Sequence, residues 1–204
     1  MKVLLFGGTF DPIHLGHVKI VESILPACDF DKVIFIQSNS PPHKEGTKAT
    51  SEDRENMLHF ALKDNPLFSY DDIELQRSGP SYSYDTVVGM QEKLGPEADL
   101  YWLIGADMLE SLPTWYRAQD LVNKVNFIIG LRSPWHERMD AIFESLQDSF
   151  PPDIIDGLRD GLIETEMSPI SSTTVRDNVS QGKSITDLVH PVVEEYILYH
   201  QLYL

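Results

Sequence analysis

The chain of 204 residues holds a single cysteine, Cys28, so it can form no internal disulfide and no multi-thiolate zinc site. That scarcity suits a reducing compartment, and Cys28, following Pro26-Ala27, reads as a small buried apolar residue rather than a nucleophile. Long hydrophobic runs are missing as well. Met1-Lys2 is followed by four apolar residues and then glycine, too few for a signal-peptide core, and no run approaches the length that spans a bilayer. The expectation is a cytoplasmic protein that begins at or near Met1 and has no membrane partner. Basic residues are few: 16 stand against 32 acidic ones, a formal charge of −16, which disfavours a broad grip on nucleic acid. A small polyanionic substrate stays allowed if the cations gather in one place. Internal repeats, low-complexity tracts and dividing linkers are lacking, and so are the Walker lysine motif and Gly-x-Gly-x-x-Gly. Those two gaps exclude a kinase-type phosphate loop and the ordinary dinucleotide fingerprint.

What is present is an alternation of elements. Short β-branched or aromatic runs at 2–6, 32–37, 100–105 and 125–130 lack strict polar alternation, as expected of parallel strands covered on both faces. Weaker strand signals fall at 68–71 and 162–166. Apolar stripes of helical period mark 17–25 and 52–64, with further helices expected at 83–94 and 137–150, and short ones at 171–180 and 191–199. Pro191 fits a first helical position, where its missing N–H costs nothing. The fold class is therefore α/β: a Rossmann-like, doubly wound, mostly parallel sheet in a single domain spanning 1–204, with a small helical subregion from about residue 168. In a strand order of the 3-2-1-4-5 kind, the loops after Phe6 and Ile104 face each other across one crevice.

The segment Gly7-Gly8-Thr9-Phe10-Asp11-Pro12-Ile13-His14-Leu15-Gly16-His17 joins the first strand to the first helix. Two glycines let backbone approach an anion, and a helix start presents unpaired N–H groups and a positive dipole end. Gly16 between the imidazoles adds room for close approach. His14 and His17 therefore read as hydrogen-bond donors to a phosphate, with satisfied structural histidines as the alternative; a metal pair is the weakest option, since no ligand spacing of a known metal motif surrounds them.

Other segments carry two readings each. Ser171, Ser172 and Thr173 open a helix that reaches Arg176, which is either a plain N-cap with a surface arginine or a cradle for phosphates. Lys44 and His43 follow a stiff Pro41-Pro42 pair, on a loop whose lysine is either solvated or aimed at an anion. Arg54 suits a helix-surface salt bridge as well as a site. Asp107 follows Gly105 at a strand end, to accept ribose hydroxyls or to cap a helix beginning at Met108. Trp115, before Tyr116, is either a core lid or a stacking platform for a pyridinium ring; Trp102 and Trp135 read as structural.

The first segment resembles the signature of the nucleotidyltransferase superfamily. Its companions are Ser40-Pro41-Pro42-His43-Lys44, Arg77 to Thr86, Ile104-Gly105-Ala106-Asp107-Met108, Leu112-Pro113-Thr114-Trp115-Tyr116, and Ile170 to Arg176. Together they resemble the bacterial nicotinate-nucleotide adenylyltransferases over essentially the whole chain. The resemblance implies adenylyl transfer from ATP to nicotinate mononucleotide, a step of NAD biosynthesis. It implies catalytic roles for His14, His17, Lys44 and Arg176, and ATP contacts from Gly7, Gly8, Thr9, Phe10, Gly16, Gly105, Asp107, Ser171, Ser172 and Thr173. It also implies that the mononucleotide meets Trp115 and backbone N–H groups near Thr86 and Tyr116. Mg²⁺ is expected mainly on the ATP phosphates rather than on a protein metal site, and a homo-oligomer is allowed. Competing readings are transfer to nicotinamide mononucleotide or phosphopantetheine, cytidylyl transfer, a catalytically silent nucleotide-binding regulator, and an RNA-binding module, the last opposed by the acidic charge.

Overall fold

Alternate residues along each central strand point to opposite faces, and here both faces are apolar. In β1 (Lys2–Gly8), Val3 and Leu5 enter one core while Leu4 enters the other. The same division holds for β2 (Lys32–Gln37), where Ile34 and Ile36 oppose Val33 and Phe35. The computed structural model describes residues 1–39, 47–165 and 168–204, so His43 and Lys44 lie outside the described residues. After β1 come α1 (Leu15–Ile24), β2, α2 (Ser51–Leu62), β3 (Phe68–Asp71) and α3 (Ser83–Leu94). Next are β4 (Asp99–Gly105), two short helices, α4 (Ala106–Leu109) and α5 (Ala118–Leu121), and β5 (Asn126–Leu131). The remainder comprises α6 (Met139–Leu146), α7 (Pro152–Asp160), β6 (Leu162–Glu164), α8 (Ser172–Ser180) and α9 (Pro191–Tyr199).

All six strands pair in parallel in the order β3-β2-β1-β4-β5-β6. The order reverses between β1 and β4, as the doubly wound reading requires. α1, α2, α8 and α9 cover one face with Val21, Ile24, Met57, Leu58, Val175 and Ile197; α3 to α7 cover the other. β1 and β2 stay in register to Gly8↔Gln37, but β1 and β4 pair only as far as Leu5↔Trp102. Their last three residues therefore diverge and open a crevice at the carboxyl edge of the sheet, where such folds bind ligands.

Local chemistry explains most boundaries. Thr50 caps α2 by accepting from the Asp53 N–H, and Asp53 returns a bond to the Thr50 N–H. Pro191 occupies the first position of α9 behind the His190 cap. Three expectations change. The helix expected at 137–150 ends at Leu146 after a 3₁₀ turn at Trp135–Arg138, and a separate α7 starts at Pro152, because the Pro151-Pro152 pair can start a helix but not continue one. The helix after β4 begins at Ala106 with Gly105 as its cap, so Asp107 lies inside its first turn rather than capping from Met108. Cys28 is partly exposed rather than buried.

Candidate active site

Two helix N-termini far apart in sequence converge on the loop after β1. The N-terminus of α1 carries His14 as its cap, with the His14 N–H donating to Nδ1 of His17 at 3.2 Å. The two imidazoles stack with ring centroids 3.6 Å apart. Phe10 meets the His17 ring edge-on at 5.1 Å. From the other end of the chain, Ser172 Oγ of α8 donates to the Pro12 carbonyl at 2.9 Å, and Arg176 Nη1 donates to the Asp11 carbonyl at 2.7 Å. Ser171 caps α8 by accepting from the Thr174 N–H, and Thr173 Oγ1 accepts from Arg176. Ser171 is an N-cap, and Arg176 is bonded to the loop after β1 rather than left as a plain surface arginine. The starts of α1 and α8, each with its unpaired N–H groups, thus meet the same loop.

The glycines serve this packing in ways the spacing alone does not disclose. A Cβ on Gly8 would strike the Phe10 ring at 2.7 Å, and Phe10 itself has φ +48°, so the glycine makes room for an aromatic turned back over the loop. A Cβ on Gly16 would lie 3.0 Å from the His14 ring and 2.9 Å from Ser168 Oγ. The room over Gly16 is thus filled by His14 and Ser168, where a ligand was expected to approach. Trp102 of β4 lies against Gly7, and the Asp107 carboxylate folds over Gly105. Asp107 also sits 3.9 Å from Arg132, just beyond the carboxyl ends of β4 and β5.

Charge is arranged locally against the chain's overall −16. His14 is only 7 % exposed, its Nδ1 has no hydrogen-bond partner, and burial lowers its pKa from 6.5 to about 4. At neutral pH it is an uncharged imidazole. Arg54, for which a surface salt bridge and a site role were both open, is 1 % exposed, which excludes the surface pair; its Nη1 donates to the carbonyls of Thr9 at 2.7 Å and Ser38 at 2.9 Å. Burial pushes its guanidinium down while Asp11, Tyr203 and Tyr70 pull it back up. Among the described residues, two guanidiniums, Arg54 and Arg176, and one carboxylate, Asp11, bond to or within the loop, a local excess of positive charge against the global field.

A second cluster lies at the start of α3. Tyr82 and Tyr116 stack at 4.4 Å, and the Arg117 guanidinium sits 4.1 Å over the Tyr84 ring. Tyr116 is 47 % exposed, whereas Trp115 is partly buried against the core and donates its indole N–H to Ser111 Oγ at 3.3 Å. Thr86 is fully buried and its own N–H is spent on the Tyr82 carbonyl at 3.1 Å. The unpaired donors at this helix start belong instead to Ser83, Tyr84 and Asp85, the first three helical positions. Thr86 acts as a brace: its hydroxyl donates to Glu74 Oε1 at 2.6 Å and accepts from Arg77 Nη2 at 2.5 Å. Asn39, after β2, is held to this cluster by Ser81 Oγ and the Arg77 carbonyl. Asp11 and Glu74 were not singled out as site groups by sequence, and Arg54 was left open between a surface salt bridge and the site. An acid placed between glycines and a helix start was the one available signal, and it pointed only to Asp11.

The cytidylyltransferase-like family profile matches residues 5–178. A nicotinate-nucleotide adenylyltransferase of Salmonella typhimurium is 37 % identical over 206 residues, covering 98 % of this chain and 97 % of that protein. The protein of Oceanobacillus iheyensis named "probable nicotinate-nucleotide adenylyltransferase" is 38 % identical over 202 residues, covering 99 % and 96 %. Among solved structures, Plasmodium falciparum nicotinic acid mononucleotide adenylyltransferase, complexed with NaAD, superposes with a TM-score of 0.74 at 22 % identity, covering 99 % of this chain and 97 % of that one, which bears on the fold. With 37–38 % identity to those relatives over nearly the full length and a family profile matching most of its residues, the chain belongs to the nicotinate-nucleotide adenylyltransferases of the cytidylyltransferase-like nucleotidyltransferase family.

Proposed function

We infer that this chain transfers the adenylyl group of ATP to the phosphate of nicotinate mononucleotide, forming deamido-NAD and pyrophosphate. The observation that carries the reading is the joining of α8 to the loop of α1 through Ser172–Pro12 and Arg176–Asp11. That joint brings the Arg176 guanidinium and the start of α8 to the loop that precedes α1, which supports a polyphosphate site there.

The acceptor phosphate is already ionised at neutral pH, so attack on the α-phosphorus requires no nucleophilic side chain. An acceptor oxygen forms the new P–O bond while the bond from the α-phosphorus to the bridging oxygen breaks, and pyrophosphate leaves with that electron pair. The protein contributes position and charge. His14 and His17 donate toward the α-phosphate; His14 does so as a neutral group, so its hydrogen bond strengthens as charge grows there. Arg176, with the N–H groups of Ser172 and Thr173, receives the departing pyrophosphate. Lys44 is assigned the same task from its place in the sequence. Asp107 faces the ribose, and Gly7, Gly8, Thr9 and Phe10 shape the loop beneath the phosphates. Asp11 is the loop's carboxylate, and its oxygens are already taken by the Lys48 and Ala49 N–H groups and the Tyr203 hydroxyl; Mg²⁺ would therefore be held mainly by the triphosphate and would supply charge neutralisation there.

The nicotinate ring is assigned to Trp115 and the tyrosine cluster, its carboxylate to N–H groups at Ser83–Asp85 and Tyr116. Donors aimed at a carboxylate leave an amide's own N–H groups badly paired, which disfavours nicotinamide mononucleotide. A cytoplasmic location and a single domain accompany this reading. Pyrophosphate release is to be measured with ATP, Mg²⁺ and either mononucleotide, side by side. Turnover with nicotinate mononucleotide exceeding that with the nicotinamide form by more than tenfold supports the assignment; equal turnover overturns the acceptor, and no turnover with either overturns the activity.

A further inference from the structure

Asp11 is the most heavily gripped residue of the phosphate-side loop, and the grip comes from three places. Its buried carboxylate accepts the Lys48 N–H at 2.7 Å and the Ala49 N–H at 3.1 Å, both in the stretch leading into α2. Its carbonyl accepts Arg176 of α8. The third partner is Tyr203, beyond α9, whose hydroxyl donates to Asp11 Oδ1 at 2.9 Å across 192 positions of sequence. We propose that Tyr203 is a positioning residue, whose hydroxyl holds the loop from Thr9 to His14 in the geometry that the ATP phosphates require.

Three observations support a role beyond packing. Tyr203 adopts φ +65°, a left-handed conformation uncommon for a residue with a large side chain, so something must offset its strain; the bond to a buried carboxylate is the partner available for that. Burial, with Asp11 beside it, pushes the phenol well above its ordinary range, so it stays protonated and donates at every working pH. Its oxygen also meets the loop at the carboxylate whose backbone carbonyl anchors Arg176, so a shift at Asp11 moves the loop and the guanidinium together. Displacement of about 1 Å at reacting groups lowers rates by up to about a hundredfold.

The proposal rests on the adenylyl-transfer reading, so wild-type turnover with ATP and nicotinate mononucleotide is measured first; its absence counts against that reading, not against Tyr203. Tyr203→Phe keeps the ring against the core and removes one oxygen. At a temperature well below unfolding, its kcat is expected to fall about five- to twenty-fold, with the Michaelis constant for the mononucleotide within about twofold of wild type. A kcat within twofold of wild type overturns the proposal. Amide hydrogen exchange, which needs no substrate, supplies the second readout. Faster exchange confined to residues 9–14, with α9 protected as in wild type, is the expected result. Unchanged exchange in 9–14, or equal loosening of α9, marks Tyr203 as a packing residue and overturns the proposal.

Discussion

His14 makes the stability of this protein depend on pH in a direction that can be worked out in advance. Its imidazole is buried and its Nδ1 lacks a partner, so protonation in the folded chain is deferred from the ordinary 6.5 to about 4. The unfolded chain therefore takes up a proton on His14 below about pH 6.5 that the folded chain refuses until about pH 4. Stability from this residue is intact above 6.5, declines as pH falls between those values, and is flat below 4. That interval corresponds to about 3 kcal/mol. Carboxylates titrate in the same window, so the informative quantity is a difference: urea unfolding of wild type and His14→Gln, followed by tryptophan fluorescence at pH 7 and pH 4. Wild type is expected to lose about 3 kcal/mol more than the variant over that interval. Equal losses, or a His14 proton resonance that titrates near 6.5, would refute the reasoning. The same feature ties binding to protons. A triphosphate brought against the imidazole favours its charged form, so ATP binding near pH 5.5 is expected to take up protons from buffer, as calorimetry in two buffers of different ionisation enthalpy would reveal.

Replacing His17 with alanine should lower turnover by on the order of a hundredfold or more without unfolding the chain; pyrophosphate release near the wild-type rate would remove His17 from the chemistry. Trp115→Ala should raise the Michaelis constant for the mononucleotide more than that for ATP, and equal increases would count against stacking. Arg54→Met leaves the carbonyls of Thr9 and Ser38 without a buried donor, so urea unfolding should report a loss of about 2–5 kcal/mol. A loss below about 0.5 kcal/mol, the scale of a surface substitution, would contradict the buried geometry.

Much of the architecture was legible because it depends on period and punctuation. The apolar runs that became β1, β2, β4 and β5 sit within a few residues of their expected bounds, and the strand order is of the kind the expected crevice required. The 137–150 region was less legible: its apolar period continues toward Phe150, and the break is dictated by backbone chemistry at Pro151-Pro152. Within the site, His14, His17 and the Ser171–Arg176 helix start could be read locally, since each is a short motif. Arg54 could not, because a basic residue in a polar helix looks the same whether its guanidinium faces solvent or two carbonyls contributed by loops that only the fold brings near. Thr86 was read as lying beside backbone donors, but the helix register assigns its N–H to Tyr82, and no residue type signals that shift of one turn.

The bonds from Arg176 and Tyr203 to Asp11 also order events in time. Closing contacts across 165 and 192 positions gives the site among the largest sequence separations the chain permits, so it belongs to the slow, non-local part of folding. During synthesis, at about 5–20 residues per second, the Gly-Gly loop leaves the ribosome roughly ten seconds or more before α8 does. A nascent chain can form β1, β2 and α1 in that interval, but the loop still lacks the helix start that completes the proposed anion cradle. ATP binding thus reports on a finished molecule, and chains interrupted before Arg176 should compete little for nucleotide in the cell.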